Sequence, residues 1–569
     1  MSDETSADAA PVSASEVARR RRLRRSTAEP APPDPQGPRA LLIIGAVLAL
    51  LVVIGTLLPV AGASSGSSAT VEPVATSTAV CPEPGSIDGS RTVSAMTVVP
   101  DLPGQDREGD ASVAFLRGSD DPDLADAGLE QPEASLAQPG DSAEVVAESK
   151  RLAPLEIRTS GALAPGLVAA QTTLDSFDDN RGLTSTACLG PDTSWWFVGG
   201  GSSAGRETQL VLVNPESTPA ELDVSISGPE GPVTTPRLRG LVVEPRSRIV
   251  VRLAREAPRL LAVAWHVDVR SGRVVAALSD SELDGFVPRG ADWIPPSADP
   301  ANRVLVPGVI PGEGGRLLVI HAPGELDATV KVRLITEGGS YVPSAMSSVD
   351  VPAGTVVTVD LDSALEGQAA TVDLQSDVPI VAGIRQRHPG IDASEGSLEE
   401  TSFASGAVLI SDIAAAAGLP GERTTAVTIW VTAPGPVQQV VAAPANSMGA
   451  MESMAAASDD TQVADDTPIT VTVRILPFSP DGAVPEPEPI TVTVPRDRLV
   501  AIEIPRPEGA TWFTAVVEPV GGPVVVAHRA LRRNPDGSLI TGYPWRPLRT
   551  TVEVPAARED AAVLLPAAP

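Results

Sequence analysis

Apolar and polar residues alternate with a period of two along several stretches of this chain. Leu222, Val224 and Ile226 share one face of such a stretch, and residues 330–334 repeat the pattern. Alternation of this kind is typical of antiparallel strands with one buried and one solvated face. The runs are rich in valine and are broken by proline and glycine, which favours short strands and many turns. The pattern therefore predicts an all-β protein.

Two short motifs recur about once every 107 residues. The valines of one motif, Val168, Val275 and Val381, are 107 and 106 residues apart. The other motif recurs near Pro139, Pro245, Pro352 and Pro495. Its last interval, 495−352, is longer because the chain carries an insertion at 434–468. Since one β-sandwich domain has about this length, the repeats predict a tandem array of about four immunoglobulin-like sandwiches.

The spacing and composition predict an order of segments along the chain. These are a cytoplasmic, disordered Arg-rich tail at 1–39, a transmembrane signal-anchor helix at 40–62, a flexible Ser/Thr-rich stalk at 63–80, and repeats at 81–187, 188–294, 295–402 and 403–569, the last with the insertion 434–468 and a C-terminal tail.

The predicted anchor rests on an uncharged apolar run at 40–61, long enough as a helix to cross about 30 Å of hydrocarbon. The stretch RRRRLRR at 19–25 precedes it, and arginines of this kind stay in the cytoplasm. The ectodomain is then extracellular, on a single-pass protein of the cell membrane. A cleaved signal peptide is the alternative, because an Ala-x-Ala site follows at 61–63, but the apolar run exceeds the usual 7–15 residues.

Charge and motif content narrow the function classes. The formal net charge of −30 disfavours binding to nucleic acid, because phosphates would be repelled. The chain has no nucleophile elbow, zinc-protease helix or calcium-loop spacing, and its four histidines are scattered. We therefore expect no enzyme activity, no cofactor and no metal. Two alternatives stay open at this point, namely calcium at acidic loops and glycosidase chemistry from two carboxylates brought together.

The two cysteines, Cys81 and Cys188, are separated by one repeat length and lie on the predicted extracellular side, where disulfides persist. A structural disulfide is the favoured interpretation, with two buried thiols or a redox pair as alternatives. Such a bridge would tie the entry of the first repeat to the entry of the second.

Two features do not recur in every repeat and are candidate contacts for a ligand or partner. Trp195 and Trp196 are adjacent, so a strand would direct one to the core and the other to a sugar ring or a neighbouring domain. Basic turns close the last two repeats, and on an acidic protein they either meet an anionic envelope polymer or pair with local carboxylates. Their residues are Arg385, Arg387 and His388, then His528, Arg529, Arg532 and Arg533.

Several of these stretches together resemble an actinobacterial family of membrane-anchored envelope proteins, domain of unknown function 5719. They are TACLGPDTSWWFVGG, TQLVLVNPESTPAELDV, ISGPEGPV, GRVVAALSD, ADWIPPSADP and RVLVPGVIPGEGGRLLV. The resemblance covers the anchor and most of the ectodomain. It implies a secreted or membrane-anchored protein, and the frequent neighbourhood of the family's genes to envelope glycosyltransferases suggests work on cell-surface glycans.

The function that we expect is that of a non-enzymatic, membrane-anchored scaffold or binding protein of the cell envelope. Its partners would be the lipid bilayer through residues 40–62, and an envelope glycan or a membrane glycosyltransferase. A glycan-active enzyme with an inter-domain carboxylate site and a surface adhesin are the alternatives.

Overall fold

A computed structural model describes residues 70–82, 90–116, 134–147, 153–175, 181–389, 398–436, 467–534 and 537–554. The predicted tail and anchor, and most of the insertion 434–468, lie outside these residues. Within them the protein is all-β, as predicted, with two one-turn α-helices and three short 3₁₀ turns, at Gly161–Leu163, Pro236–Leu238 and Ser344–Met346. No helix in the described part is long and apolar enough to cross a membrane.

Four large hydrophobic cores account for most of the strands, and we call each core with its enclosing strands a module. The first strand, β1 (Thr70–Pro73), precedes them. Two sheets, ordered β2-β6-β4 and β5-β3-β7-β8, enclose the core of the first module. Its strands are β2 (Thr76–Cys81), β3 (Arg91–Val98), β4 (Asp110–Phe115), β5 (Ser142–Ala147), β6 (Leu155–Ser160), β7 (Leu167–Asp175) and β8 (Gly182–Ala187).

The second module also has two sheets, ordered β14-β10-β16-β17 and β12-β11-β15-β9, with β13 beside β11. Its elements are β9 (Ser194–Val198), β10 (Arg206–Asn214), β11 (Ala220–Gly228), β12 (Gly231–Pro232), β13 (Leu241–Val243), β14 (Ser247–Arg252), α1 (Leu253–Glu256), β15 (Ala264–Ser271), β16 (Val275–Asp284) and β17 (Val287–Ile294).

The third module is organised by one long strand that takes part in both of its layers. Strand β24 pairs with β18 and β20 along its first half, and with β19 and β25 along its second. The elements are β18 (Ala301–Val309), β19 (Arg316–His321), β20 (Ala328–Thr336), β21 (Gly339–Tyr341), β22 (Val349–Val351), β23 (Val356–Asp360), α2 (Asp362–Leu365), β24 (Ala370–His388) and β25 (Glu400–Ser405).

The fourth module has sheets ordered β26-β31-β28-β29 and β30-β27-β32-β33. Its strands are β26 (Ala414–Pro420), β27 (Thr425–Ala433), β28 (Ile469–Phe478), β29 (Ile490–Val494), β30 (Arg498–Glu503), β31 (Trp512–Val520), β32 (Val525–Arg532) and β33 (Leu539–Thr541). The predicted insertion begins at the end of β27 and finishes just before β28. The last strand of the chain, β34 (Thr551–Val554), pairs antiparallel with β1.

Four smaller apolar clusters lie between modules and close the array into a ring. The first and second modules meet around Val80 and Val213, and the second and third meet around Val198 and Val381. The third and fourth modules meet around Ile310 and Trp430. The fourth module then meets the first around Val516 and Val99. Hydrogen bonds reinforce the last contact. Thr97 and Thr514 join through their hydroxyls at 2.8 Å, and the Trp512 indole donates to Glu144 at 2.9 Å.

Two predicted boundaries differ from the structure. The stretch predicted as a stalk contains β1 and β2, and β2 places Val80 and Cys81 in the interior. Its Ser/Thr-rich composition resembles a linker, but its β-branched residues also suit a strand paired with β6. At the other end of the array, the predicted boundary at 402/403 falls inside β25.

The predicted disulfide between Cys81 and Cys188 is confirmed. Cys81 ends β2 and Cys188 follows β8, and both belong to the core of the first module. The bridge therefore joins the two sheets of one module, which corrects the expectation that it ties one repeat to the next. The separation of the cysteines, 107 positions, equals the length of a module because the bridge spans the first module from its beginning to its end.

Replacing both cysteines (Cys81→Ala with Cys188→Ala) should destabilise the first module by up to about 4–5 kcal/mol, because the open chain regains the entropy of a long loop. Hydrogen exchange resolved by segment measures this directly. We expect faster exchange in β2, β6 and β8 than in the strands of the third module. Equal protection of both modules before and after the substitution would contradict the prediction.

Ring closure depends on close packing where β26 meets the first module. A Cβ on Gly418 would lie 3.1 Å from the Ala95 Cβ and 3.8 Å from the Ala170 Cβ, and its φ is +69°. Gly418→Val should therefore cost about 1–3 kcal/mol more than Gly285→Val, whose site has φ +65° and open space around it. Thermal unfolding measures the difference, and X-ray scattering should show a larger radius for the Gly418 variant. Equal losses would mean that packing there does not hold the ring.

Candidate functional site

The closing strands of the four modules, β8, β17, β25 and β33, pack together, and we call this place the central junction. Glycines allow the strands to approach. At Gly290, with φ +103°, a Cβ would lie only 2.3 Å from the Thr401 backbone nitrogen. At Gly182 it would lie 2.9 Å from the Ala291 carbonyl oxygen, and at Gly537 the same distance from that of Leu398. No side chain fits at these points, because Cβ contacts under 3 Å do not occur in proteins.

A buried ion pair crosses the junction from the first module to the third. Arg181 Nη1 lies 3.9 Å from Glu400 Oε2, and both side chains are almost fully buried. Arg181 Nη2 also donates to the Gly537 carbonyl of the fourth module at 3.0 Å. The 3.9 Å separation is too long for a hydrogen bond, and within the described residues Arg181 Nη1 and Glu400 Oε2 have no other hydrogen-bond partner. Burial raises the pKa of Glu400 well above its usual range, although Arg181 opposes the shift.

A second carboxyl, Asp292 of β17, occupies the same junction. It accepts hydrogen bonds from the backbone N–H of Ser185 at 3.2 Å and from the Thr541 hydroxyl at 3.0 Å. It thus connects the second module to the first and to the fourth. Burial raises the pKa of Asp292 well above its ordinary value, and these hydrogen bonds offset only part of the shift.

The chemistry open to this junction follows from its burial. Asp292 and Glu400 are 2% and 1% exposed, so a polymeric substrate does not reach them. In the described part of the chain, no cluster of three His, Cys, Asp or Glu side chains could hold a metal ion. Burial raises the pKa of both carboxyls, so each holds its proton to a higher pH than an exposed carboxyl does.

The predicted tryptophan pair lies in β9, with its rings on opposite faces. Trp195 is in the second core and donates to the Val274 carbonyl at 3.0 Å. Trp196 stacks on His266 with ring centroids 3.9 Å apart and planes 8° apart. It also lies 6.3 Å from His321 of the third module, within the apolar cluster between the two modules. One face of the Trp196 ring is therefore occupied by the protein itself.

The residues of the first predicted basic turn lie in strand β24 and not in a turn, and its two arginines contact the second module. Arg385 and Arg387 both pair with Glu282 of β16, Arg387 at 2.5 Å. Burial lowers the pKa of Arg385 to about 9, and repulsion from Arg206 adds to the shift. His388 is buried, and its Nδ1–H donates to the Pro389 carbonyl at 2.5 Å. These three residues line an internal contact in the structure.

The residues of the second predicted basic turn also lie in a strand, β32, except for Arg533, and they are divided between the interior and the surface. Burial lowers the pKa of His528 to about 3, and His528 Nδ1 accepts a hydrogen bond from the Trp545 indole at 3.0 Å. Arg529 lies over the Trp430 ring, 5.4 Å from its centroid, and Arg532 pairs with Glu422. Arg533 is exposed.

The junction residues Arg181, Asp292 and Glu400 were not among the sequence candidates. One signal was available, because the dipeptide Arg-Gly recurs at 181–182, where β8 begins, and at 289–290, inside β17. A charged residue beside glycine also occurs in ordinary turns. The dipeptide therefore indicates the central junction only once the strands that meet there are known.

Glu400→Gln should stabilise the array increasingly as the pH rises above about 4.5, the ordinary pKa of a glutamate. The raised pKa means that folded Glu400 holds its proton to higher pH than the unfolded chain does. The free energy of unfolding therefore falls as the pH rises from the pKa of Glu400 in the unfolded chain towards its pKa in the folded protein. Glutamine does not titrate, so the variant does not undergo this fall. The measurement is the difference in melting temperature between variant and wild type from pH 4 to 8, with the exposed Glu325→Gln as control. A difference that does not change with pH would refute the prediction.

Comparison with known proteins identifies a family for this chain, and the function of that family is unknown. A comparison with curated protein sequences finds no match. The model of the family of unknown function DUF5719 matches residues 137–474, which is more than half of the chain and extends from β5 into β28. On this match, the chain belongs to the DUF5719 family.

Proposed function

We propose that this protein is a non-enzymatic scaffold or binding protein of the cell envelope, held by the apolar segment at 40–62 with its modules outside the cell. Each module would be an immunoglobulin-like sandwich, four in all. The observation that carries the proposal is ring closure: all four modules meet at the buried junction, and every neighbouring pair shares an apolar cluster. Such a ring holds its outer surfaces in fixed relative positions, which suits the presentation of binding surfaces.

Polar contacts between modules support a rigid array. Arg246 pairs with Glu156 at 3.0 Å between the first two modules, and Arg387 pairs with Glu282 between the second and third. Arg333 pairs with Asp497 at 2.9 Å between the third and fourth. Each such contact is worth little where it is exposed. Together with the apolar clusters, however, they mean that each pair of neighbouring modules is joined by packed side chains as well as by the connecting chain.

The burial of the two junction carboxyls argues against the glycan-active alternative. A retaining or inverting glycosidase needs two carboxyls beside a sugar, and inverting enzymes also need room for a water molecule. Asp292 and Glu400 instead contact backbone groups, Thr541 and Arg181. Purified full-length protein should therefore leave envelope polysaccharide intact. Cleavage that is abolished by Asp292→Asn or Glu400→Gln would establish the enzyme instead.

The topology is tested with the full chain carrying one epitope tag at each end. Protease added to intact cells stripped of their wall should remove the C-terminal tag and leave the N-terminal tag protected. A variant lacking 40–62 should leave the membrane fraction. Digestion of both tags, or an unchanged membrane fraction for the deletion, would overturn the anchored, outward-facing arrangement. Cross-linking in the same cells should then capture an envelope partner, as a scaffold requires.

A further inference from the structure

One connection between strands of the second module forms a basic surface, whereas the equivalent connections in the third and fourth modules are acidic. Between β11 and β15, residues 229–263 contain seven arginines and three acidic residues. The equivalent connection in the third module, residues 337–369 between β20 and β24, has five acidic residues and no Lys or Arg. The fourth module, at 479–511, has three arginines against six acidic residues. Of these three connections, only the one in the second module has an excess of positive charge, on a chain of net charge −30.

Several arginines of this segment are available to a ligand. Five of them are exposed, namely Arg237, Arg239, Arg252, Arg255 and Arg259. Arg252 forms a loose ion pair with Glu207 at 3.6 Å, and Arg239 lies near Asp223. Among the described residues, no carboxylate lies within ion-pair distance of Arg237, Arg255 or Arg259. The predicted basic turns differ in this respect, because Arg385, Arg387 and Arg532 are paired with glutamates.

The loop that carries Arg259 is held by a buried serine. Ser202 Oγ donates to the Ala257 carbonyl at 2.5 Å and accepts from the Leu260 N–H at 3.0 Å. The Ser202 carbonyl accepts from the N–H of Arg259 at 3.0 Å. Arg259 is held at φ +68°, a conformation that non-glycine residues seldom adopt. The loop after α1 is thus fixed before any ligand arrives, which reduces the entropy lost on binding.

Protection of a sheet edge does not account for this surface. Strand β14 is an edge strand, and charged residues commonly guard such edges against pairing with another chain. Arg252 of β14 fits that role. Arg237 lies in a 3₁₀ turn, Arg255 lies in α1, and Arg259 lies in the loop that follows, so these three do not lie on the edge.

We propose that this surface, defined by Arg237, Arg239, Arg252, Arg255 and Arg259, binds a linear polymer that carries phosphate or carboxylate groups. Guanidinium groups recognise both anions by paired hydrogen bonds. Residues 229–263 contain no aromatic residue, so this surface would recognise the ligand by its charge and would not stack on sugar rings. The same lack of aromatics disfavours insertion into a bilayer, where Trp and Phe are typical. This inference deepens the proposed function by naming the class of envelope ligand.

The test measures binding of the purified full-length chain in neutral detergent to sodium polyphosphate and to polygalacturonate, with dextran as the uncharged polymer. The triple variant Arg237→Gln, Arg255→Gln and Arg259→Gln should weaken binding at least tenfold at low salt. It should also reduce the slope of log affinity against log salt by about two. The matched control is Arg107→Gln, Arg423→Gln and Arg506→Gln, three exposed arginines on the other modules with the same change in net charge. Its binding should stay within twofold of wild type.

Three results would overturn the proposal. The first is that the protein binds neither polyphosphate nor polygalacturonate. The second is that the control variant weakens binding as much as the triple variant does. The third is that the protein binds phosphatidylglycerol vesicles but neither polymer. None of these outcomes bears on the topology experiment, so failure here is distinguishable from failure of the anchored arrangement.

Discussion

The steric constraint at the central junction governs the arrangement of the modules. Four closing strands share a space that admits no side chain at Gly182, Gly290 or Gly537. Each closing strand completes a sheet of its own module and packs against strands of other modules. A module that loosened its last strand would therefore weaken its own sheet and the junction together. This double use couples the stability of the four cores, which a linear array with flexible linkers would keep independent.

Electrostatics at the junction oppose this packing. The approach of the strands removes Arg181, Asp292 and Glu400 from water, and ion pairing inside a protein rarely offsets all of that cost. Repulsion from Asp292 adds to the raised pKa of Glu400, and the cost falls when one of the two carboxyls keeps its proton. The raised pKa of both carboxyls agrees with this. Apolar residues of similar size would pack without this cost. They would not, however, accept the hydrogen bonds from Ser185 and Thr541 or donate the one to the Gly537 carbonyl, which join particular modules in particular registers.

Sequence reasoning succeeded where the signal is local or periodic. The alternation at 222–226 predicted strand β11, and the spacing of Val168, Val275 and Val381 predicted equivalent strands. The disulfide was also predictable, because the chain has only two cysteines and both lie on the side of the predicted anchor where disulfides persist. Contacts between modules were not predictable, since Arg385 and Glu282 are about a hundred residues apart with no shared pattern. In sequence, Arg385, which has an ion-pair partner, looks the same as Arg259, which has none among the residues that the structure describes.

The pairing of β1 with β34 has a consequence for biosynthesis. Thr70 and Val554 are register partners, so β1, which is synthesised before all four modules, can pair only after β34 has been synthesised behind them. The contact between the first and fourth modules waits likewise. Individual modules can fold as they emerge, but closure of the ring requires nearly the complete chain and the formation of very non-local contacts, which form slowly. Until then the apolar surfaces around Val99 and Val168 stay uncovered, so a truncated chain would expose them permanently.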